Sequence, residues 1–79
     1  MKIGDKIKVI RPGYEERTWL KKGIVGVIMR NSEFNNGSNW DVFSVKFDNV
    51  TVPEDDIDLN TDGTYDMFRD QLEVVEADA

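Results

Sequence analysis

The chain contains no cysteine and no histidine among its 79 residues. Without cysteine it has no disulfide bonds, no thiolate nucleophile and no zinc–thiolate site, which fits a reducing compartment. Without histidine it lacks the commonest general base and metal ligand. The sequence also has no phosphate-binding glycine motif and no nucleophile elbow. The composition therefore favours a non-enzymatic protein with no cofactor, and cytoplasmic is the default location.

Long apolar runs are also missing. The longest extends from Ile24 to Met29 and is interrupted by Gly26, so it is far too short to span a bilayer. Met1-Lys2-Ile3 leads directly into a strand-like pattern, so we expect no signal peptide and no membrane partner.

The length of the chain predicts one small domain with a compact core. We expect this domain to cover residues 1–76, with residues 77–79 as a frayed tail.

The net charge of −6 conceals an asymmetry along the chain. Residues 1–30 carry eight Lys/Arg against three Asp/Glu, a balance of +5, whereas residues 31–79 carry two against thirteen, a balance of −11. The plainer interpretation is that the two halves attract each other within one folded unit. The functional interpretation is a bipolar surface that steers a charged partner.

Short alternating runs dominate the pattern, and no helical period is evident. Ile3, Ile7 and Val9 share one parity and Lys6 and Lys8 the other, which is typical of a half-buried strand. Further strands are expected at 24–29, 40–47, 65–68 and 72–75, the last two separated by a tight bend at 69–71.

Glycines and polar residues punctuate these strands. Gly23 and Gly26 indicate tight packing or sharp curvature. Asn36-Gly37 and Asp62-Gly63 are turn signals. Residues 50–52 either extend the third strand or form a short strand of their own. Because open edges on five short strands would invite aggregation, we predict an all-β fold whose antiparallel sheet closes into a barrel.

Two resemblances give that barrel a more specific form. The stretch from Gly4 to Ile10, followed by that from Lys22 to Ile28, resembles the KOW pattern that opens many SH3-like barrels in ribosomal and transcription-elongation proteins. Residues 6–12, Trp19, residues 23–25 and residues 45–48 resemble the PsaE family of photosystem I proteins, which is another SH3-like barrel.

These resemblances imply a single SH3-like five-stranded antiparallel barrel. An OB-like barrel is the alternative, but that fold usually has longer strands and a helix. The resemblances imply little about function, because this barrel hosts many unrelated tasks. The photosystem I family docks an acidic electron carrier and is basic, whereas this chain is acidic.

Aromatic and acidic residues in predicted loops are the first candidates for a binding surface. Tyr and Trp offer large contact area at low entropic cost. We therefore predict a non-enzymatic module that binds a protein partner. The aromatic candidates are Tyr14, Trp19, Phe34 and Trp40, and the acidic candidates are Glu54, Asp55, Asp56 and Asp58.

Plainer interpretations of the same residues remain. Trp19 and Trp40 could instead cap the ends of the barrel, and the acidic run could be a solvated loop. A further alternative is an acidic inhibitor that presents its carboxylates as a nucleic acid presents phosphates.

The basic first hairpin supports another alternative, a KOW-like accessory of nucleic acid, ribosome or polymerase. Its basic side chains would contact phosphates, although the overall acidity of the chain opposes a polyanion. The candidate residues are Lys6, Lys8, Arg11, Arg17, Lys21 and Lys22.

Residues 58–66 resemble the start of a calcium loop, with oxygen ligands at alternate positions and Gly63 for the turn. The ligands would be Asp58, Asn60, Asp62 and Asp66. Arg69 stands where such a loop carries its bidentate glutamate, and no flanking helices are predicted. A solvated acidic hairpin is the plainer interpretation, with weak calcium binding as the alternative.

Overall fold

The computed structural model describes residues 1–12, 19–48, 50–56 and 59–75. Within these ranges no α-helix occurs, and no helix is long and apolar enough to cross a membrane. The elements are β1 (Lys6–Val9), β2 (Val25–Asn31), β3 (Val42–Phe47), β4 (Tyr65–Phe68), a 3₁₀ turn (Arg69–Gln71) and β5 (Leu72–Val74).

The five strands form one antiparallel sheet in the order β4-β3-β2-β1-β5. The predicted all-β fold and five-stranded antiparallel sheet are therefore confirmed, as is the bend at 69–71. Strands β4 and β5 are consecutive in the chain and lie at opposite ends of this order. Within the described ranges no ladder joins them, so closure into a barrel stays a prediction.

The core lies on one face of the sheet because apolar side chains alternate along each strand. In β3 the buried Phe43 and Val45 and the half-buried Phe47 alternate with Val42, Ser44 and Lys46, as predicted. The buried apolar residues are Ile7, Val9, Leu20, Ile28, Phe43, Val45, Tyr65, Met67 and Leu72.

Two predicted strand ends are wrong. Strand β1 begins at Lys6, and Ile3 is 61% exposed. Gly4 adopts a φ of +93°, which turns the chain immediately before the strand. Strand β3 begins at Val42, so Trp40 lies before it in a turn.

The other differences are in the connecting segments. Residues 50–52 lie outside every strand. Gly23 has a φ of +96°, and a Cβ added there would meet nothing within 4 Å, so this glycine serves a turn rather than tight packing. The tail at 76–79 lies outside the described residues.

Gly26 confirms the expectation of tight packing. A Cβ added there would lie 2.6 Å from the Lys46 carbonyl oxygen and 2.8 Å from Cγ1 of Val45. Neither distance leaves room for a methyl group, so β2 and β3 can approach this closely only with glycine at this position.

We expect Gly26→Ala to lower the free energy of unfolding by about 1–3 kcal/mol in urea denaturation, as overpacking does. Gly4→Ala is the control, because its Cβ would meet nothing within 4 Å and only the positive φ opposes it. That conformation costs about 1–2 kcal/mol. A Gly26→Ala protein more stable than Gly4→Ala would contradict the packing account.

Candidate functional site

Trp40 and Phe68 form an aromatic pair on the sheet face that points away from the core. Their rings meet edge to face, with centroids 5.7 Å apart and an interplanar angle of 87°. Trp40 is 71% exposed and Phe68 42% exposed. Phe68 lies opposite Val42 in the β3–β4 register. We call this surface the aromatic pair.

The carboxylate of Asp41 organises the loop of residues 32–41 that carries Trp40. Its Oδ1 accepts hydrogen bonds from the Asn36 amide (2.9 Å) and the Ser38 hydroxyl (3.3 Å), and its Oδ2 accepts one from the Gly37 amide (2.7 Å). Asp41 is only 7% exposed. A single carboxylate therefore satisfies three donors of the turn, which folds the loop back on itself.

Asn35 fastens this loop to the sheet. Its amide nitrogen donates to the Val42 carbonyl and its amide oxygen accepts from the Val42 amide, both at 2.9 Å. The side chain thereby pairs with the backbone as a neighbouring strand would.

The 3₁₀ turn holds the other side of the loop. The Arg69 amide donates to the Asp41 carbonyl (2.7 Å), and Nη1 of Arg69 donates to the Gly37 carbonyl (2.8 Å). The Asp70 amide donates to the Asn39 carbonyl (3.3 Å). Because Phe68 and Trp40 directly precede Arg69 and Asp41, these bonds fix one ring relative to the other.

An open cleft of about 250 Å³ lies beside the aromatic pair. Phe43 supplies apolar lining, and polar groups supply most of the rest. The lining residues are Met1, Asn31, Asn35, Asn36, Gly37, Asp41, Phe43 and Arg69.

The loop bonds change the acidity of Asp41. Burial raises the pKa of this carboxyl, but the hydrogen bonds from Asn36, Gly37 and Ser38 outweigh burial and hold the pKa below its ordinary value of 3.8. Hydrogen bonds to the charged form have this effect because protonation would weaken them. Asp41 is therefore ionised at neutral pH and acts as a fixed acceptor.

Trp19 has a structural role instead of an exposed one. Its ring packs edge to face on Tyr65 (5.0 Å) and on Phe47 (5.8 Å). Its indole nitrogen donates to Oδ2 of Asp56 (3.2 Å), and the Tyr65 hydroxyl donates to Oδ1 of Asp56 (3.4 Å). Trp19 thus covers one end of the core, and Asp56 belongs to this cap.

The predicted aromatic and acidic candidates do not form one surface. Trp40 lies next to the start of β3, whereas Trp19 and Asp56 lie at its other end, against Phe47. A six-residue strand separates these ends by about 17 Å. Glu54 and Asp55 are exposed near the Trp19 end.

Three further candidates have different outcomes. Phe34 is 84% exposed in the 32–41 loop. Tyr14 and Asp58 lie outside the described residues.

Three basic side chains of the first hairpin pair with acids from the second half of the chain. The pairs are Lys8–Glu73 (3.7 Å), Arg11–Asp70 (3.9 Å) and Arg30–Asp62 (3.3 Å). These contacts are what the plainer interpretation of the charge asymmetry predicts. Lys6, Lys21 and Lys22 are exposed, and Arg17 lies outside the described residues.

The proposed calcium ligands are engaged in bonds to the protein. Asp62 accepts two hydrogen bonds from Thr64 and pairs with Arg30, and these contacts, Thr64 foremost, lower the pKa of its carboxyl. Asp66 accepts from Asn60 (2.9 Å) and Ser44 (2.8 Å). In the described ranges no three His, Cys, Asp or Glu residues are grouped to hold a metal ion. Calcium binding stays a prediction.

Sequence reasoning missed Phe68, Asp41, Asn35 and Arg69. The parity of β4 could have identified Phe68, because Tyr65 and Met67 point to the core and Phe68 must then point away from it. The turn at Asn36-Gly37 could have drawn attention to Asp41, four residues after Gly37, as an acceptor for its amides. No local signal identifies the role of Arg69.

Comparisons with protein-family models, curated proteins and solved structures find no match to this chain. The site is therefore interpreted from its own geometry.

The lowered pKa of Asp41 predicts acid sensitivity. A carboxyl whose pKa is lower in the folded than in the unfolded state contributes stability above its unfolded value, here 3.8. That contribution is lost as the pH falls through the folded-state pKa. In urea denaturation at a series of pH values, we expect Asp41→Asn to be less stable than the parent at neutral pH and to lose less stability in acid.

Asp55→Asn is the matched control, because it removes an exposed acid outside the loop. It should follow the parent curve. If Asp41→Asn lost as much stability in acid as the parent does, the proposed role of Asp41 would be wrong.

Proposed function

We propose that this chain is a non-enzymatic docking module that binds a protein partner through the aromatic pair. The observation that carries the proposal is the exposure of two contacting aromatic rings, 71% for Trp40 and 42% for Phe68, in so small a domain. An exposed tryptophan beside a second ring is the kind of anchor that dominates the binding energy of protein interfaces.

The way the pair is held supports this proposal. The edge-to-face contact restricts both rings, and Asp41 and Arg69 fix the segments that carry them. A partner then has little conformational entropy to remove when it binds. The adjoining 250 Å³ cleft offers polar groups that give such contacts direction.

The charge around the pair selects the partner. Asp66 is exposed on β4, two residues before Phe68 on the same face, and Glu33 is exposed in the 32–41 loop. The chain carries a net charge of −6. The partner that fits is a protein segment with an apolar anchor flanked by lysine or arginine.

The finer fold belongs to the same proposal: the sheet is SH3-like and closes into a barrel, and the module acts in the cytoplasm. The strand order β4-β3-β2-β1-β5, with a 3₁₀ turn between the two edge strands, supports such closure. The likeness to KOW domains and to the PsaE family of photosystem I supports the barrel and does not extend to their partners.

The alternative functions have less support. Pairing of Lys8, Arg11 and Arg30 with acids reduces the charge that a nucleic acid would meet. An inhibitor that mimics phosphates would use the acidic residues near Trp19, but Asp56 is engaged there by Trp19 and Tyr65.

The test is a selection from a random peptide library with the immobilised full chain, followed by titration of synthetic peptides. We expect enriched peptides to share an apolar anchor with basic flanks. Trp40→Ala should weaken their binding by at least about thirtyfold, since a hot-spot residue contributes about 2 kcal/mol or more.

Phe34→Ala is the control, because it removes another exposed aromatic from the same loop but leaves the pair intact. It should weaken binding by less than about fivefold. Peptides that bind Trp40→Ala as tightly as the parent would contradict the proposal. Binding that instead requires the basic hairpin, and is displaced by DNA or RNA, would favour the nucleic-acid alternative.

A further inference from the structure

Asn36-Gly37 is a chemically distinctive dipeptide within the 32–41 loop. The chain has six asparagines, and only Asn36 precedes a glycine. Both residues are exposed, and Gly37 has a φ of +90°. Glycine has no side chain to shield its backbone nitrogen from the asparagine that precedes it.

This arrangement permits spontaneous deamidation. The Gly37 backbone nitrogen loses its proton and attacks Cγ of Asn36, so a ring N–C bond forms. The bond from Cγ to the side-chain nitrogen breaks, and ammonia leaves with the proton. Water then opens the five-membered succinimide at either carbonyl, giving aspartate or isoaspartate at position 36. Water is the only co-reactant, and nothing is oxidised or reduced.

Asp41 opposes the first step. The attacking nitrogen is the one that donates to Oδ2 of Asp41 at 2.7 Å. Removing its proton would break a charge-assisted hydrogen bond and leave two negative groups in contact. The Ser38 amide also holds the carboxamide oxygen of Asn36, at 3.2 Å, which restricts the rotation that the attack requires.

We propose that Asn36 is a deamidation site whose rate is limited by the Asp41 carboxylate. The product has a structural consequence. Aspartate or isoaspartate at position 36 brings a second negative charge next to Asp41, and isoaspartate also lengthens the backbone by one carbon. Both changes loosen the loop that carries Trp40.

The experiment incubates the full chain at mildly alkaline pH and follows the mass change by peptide mapping. We expect native protein to deamidate at Asn36 at least about tenfold more slowly than the same chain in urea, and folded Asp41→Asn at least about tenfold faster than native protein. Asp55→Asn should match native protein, and Asn36→Gln should remove the modification from this peptide.

Circular dichroism establishes whether Asp41→Asn is folded. If it is not, Asp41→Glu takes its place, because it keeps the charge but displaces the carboxylate, and it should also deamidate faster than native protein. The proposal is overturned if native protein deamidates as fast as the chain in urea. It is equally overturned if the folded Asp41 variant deamidates at the native rate.

Discussion

One buried carboxylate sets the shape of the surface that we assign to binding. Asp41 accepts hydrogen bonds from Asn36, Gly37 and Ser38, while its own carbonyl accepts from the Arg69 amide. A charged acceptor with several donors is stronger than the sum of loose loop contacts. Through it, the connection between β2 and β3 and the turn after β4 become one unit, and Trp40 meets Phe68.

The two tryptophans show how the same residue type serves different ends of the sheet. Trp19 packs on Tyr65 and Phe47 and donates to Asp56, so its area is spent on the core. Trp40 has one ring neighbour among the described residues and keeps most of its surface exposed. Stability and recognition are thus separated along β3, and changes at one end need not disturb the other.

The sequence predicts what depends on neighbours along the chain. Alternation located the five strands, and a residue pair such as Asn36-Gly37 predicted its turn, because these signals are local. It could not distinguish the roles of Trp19 and Trp40, since Trp19 is fixed by Asp56, 37 positions away. The ion pair between Lys8 and Glu73 is likewise set by the β1–β5 pairing. Barrel closure is a global property that alternation suggests without determining.

The central claim is that the aromatic pair is held rigid before any partner arrives. Nitrogen-15 relaxation of the Trp40 indole and of the amides of residues 36–41 measures this directly in the free protein. A rigid pair predicts order parameters near those of the sheet, about 0.85. Values below about 0.6 for the indole and these amides would mean that the loop is flexible, and would contradict the claim.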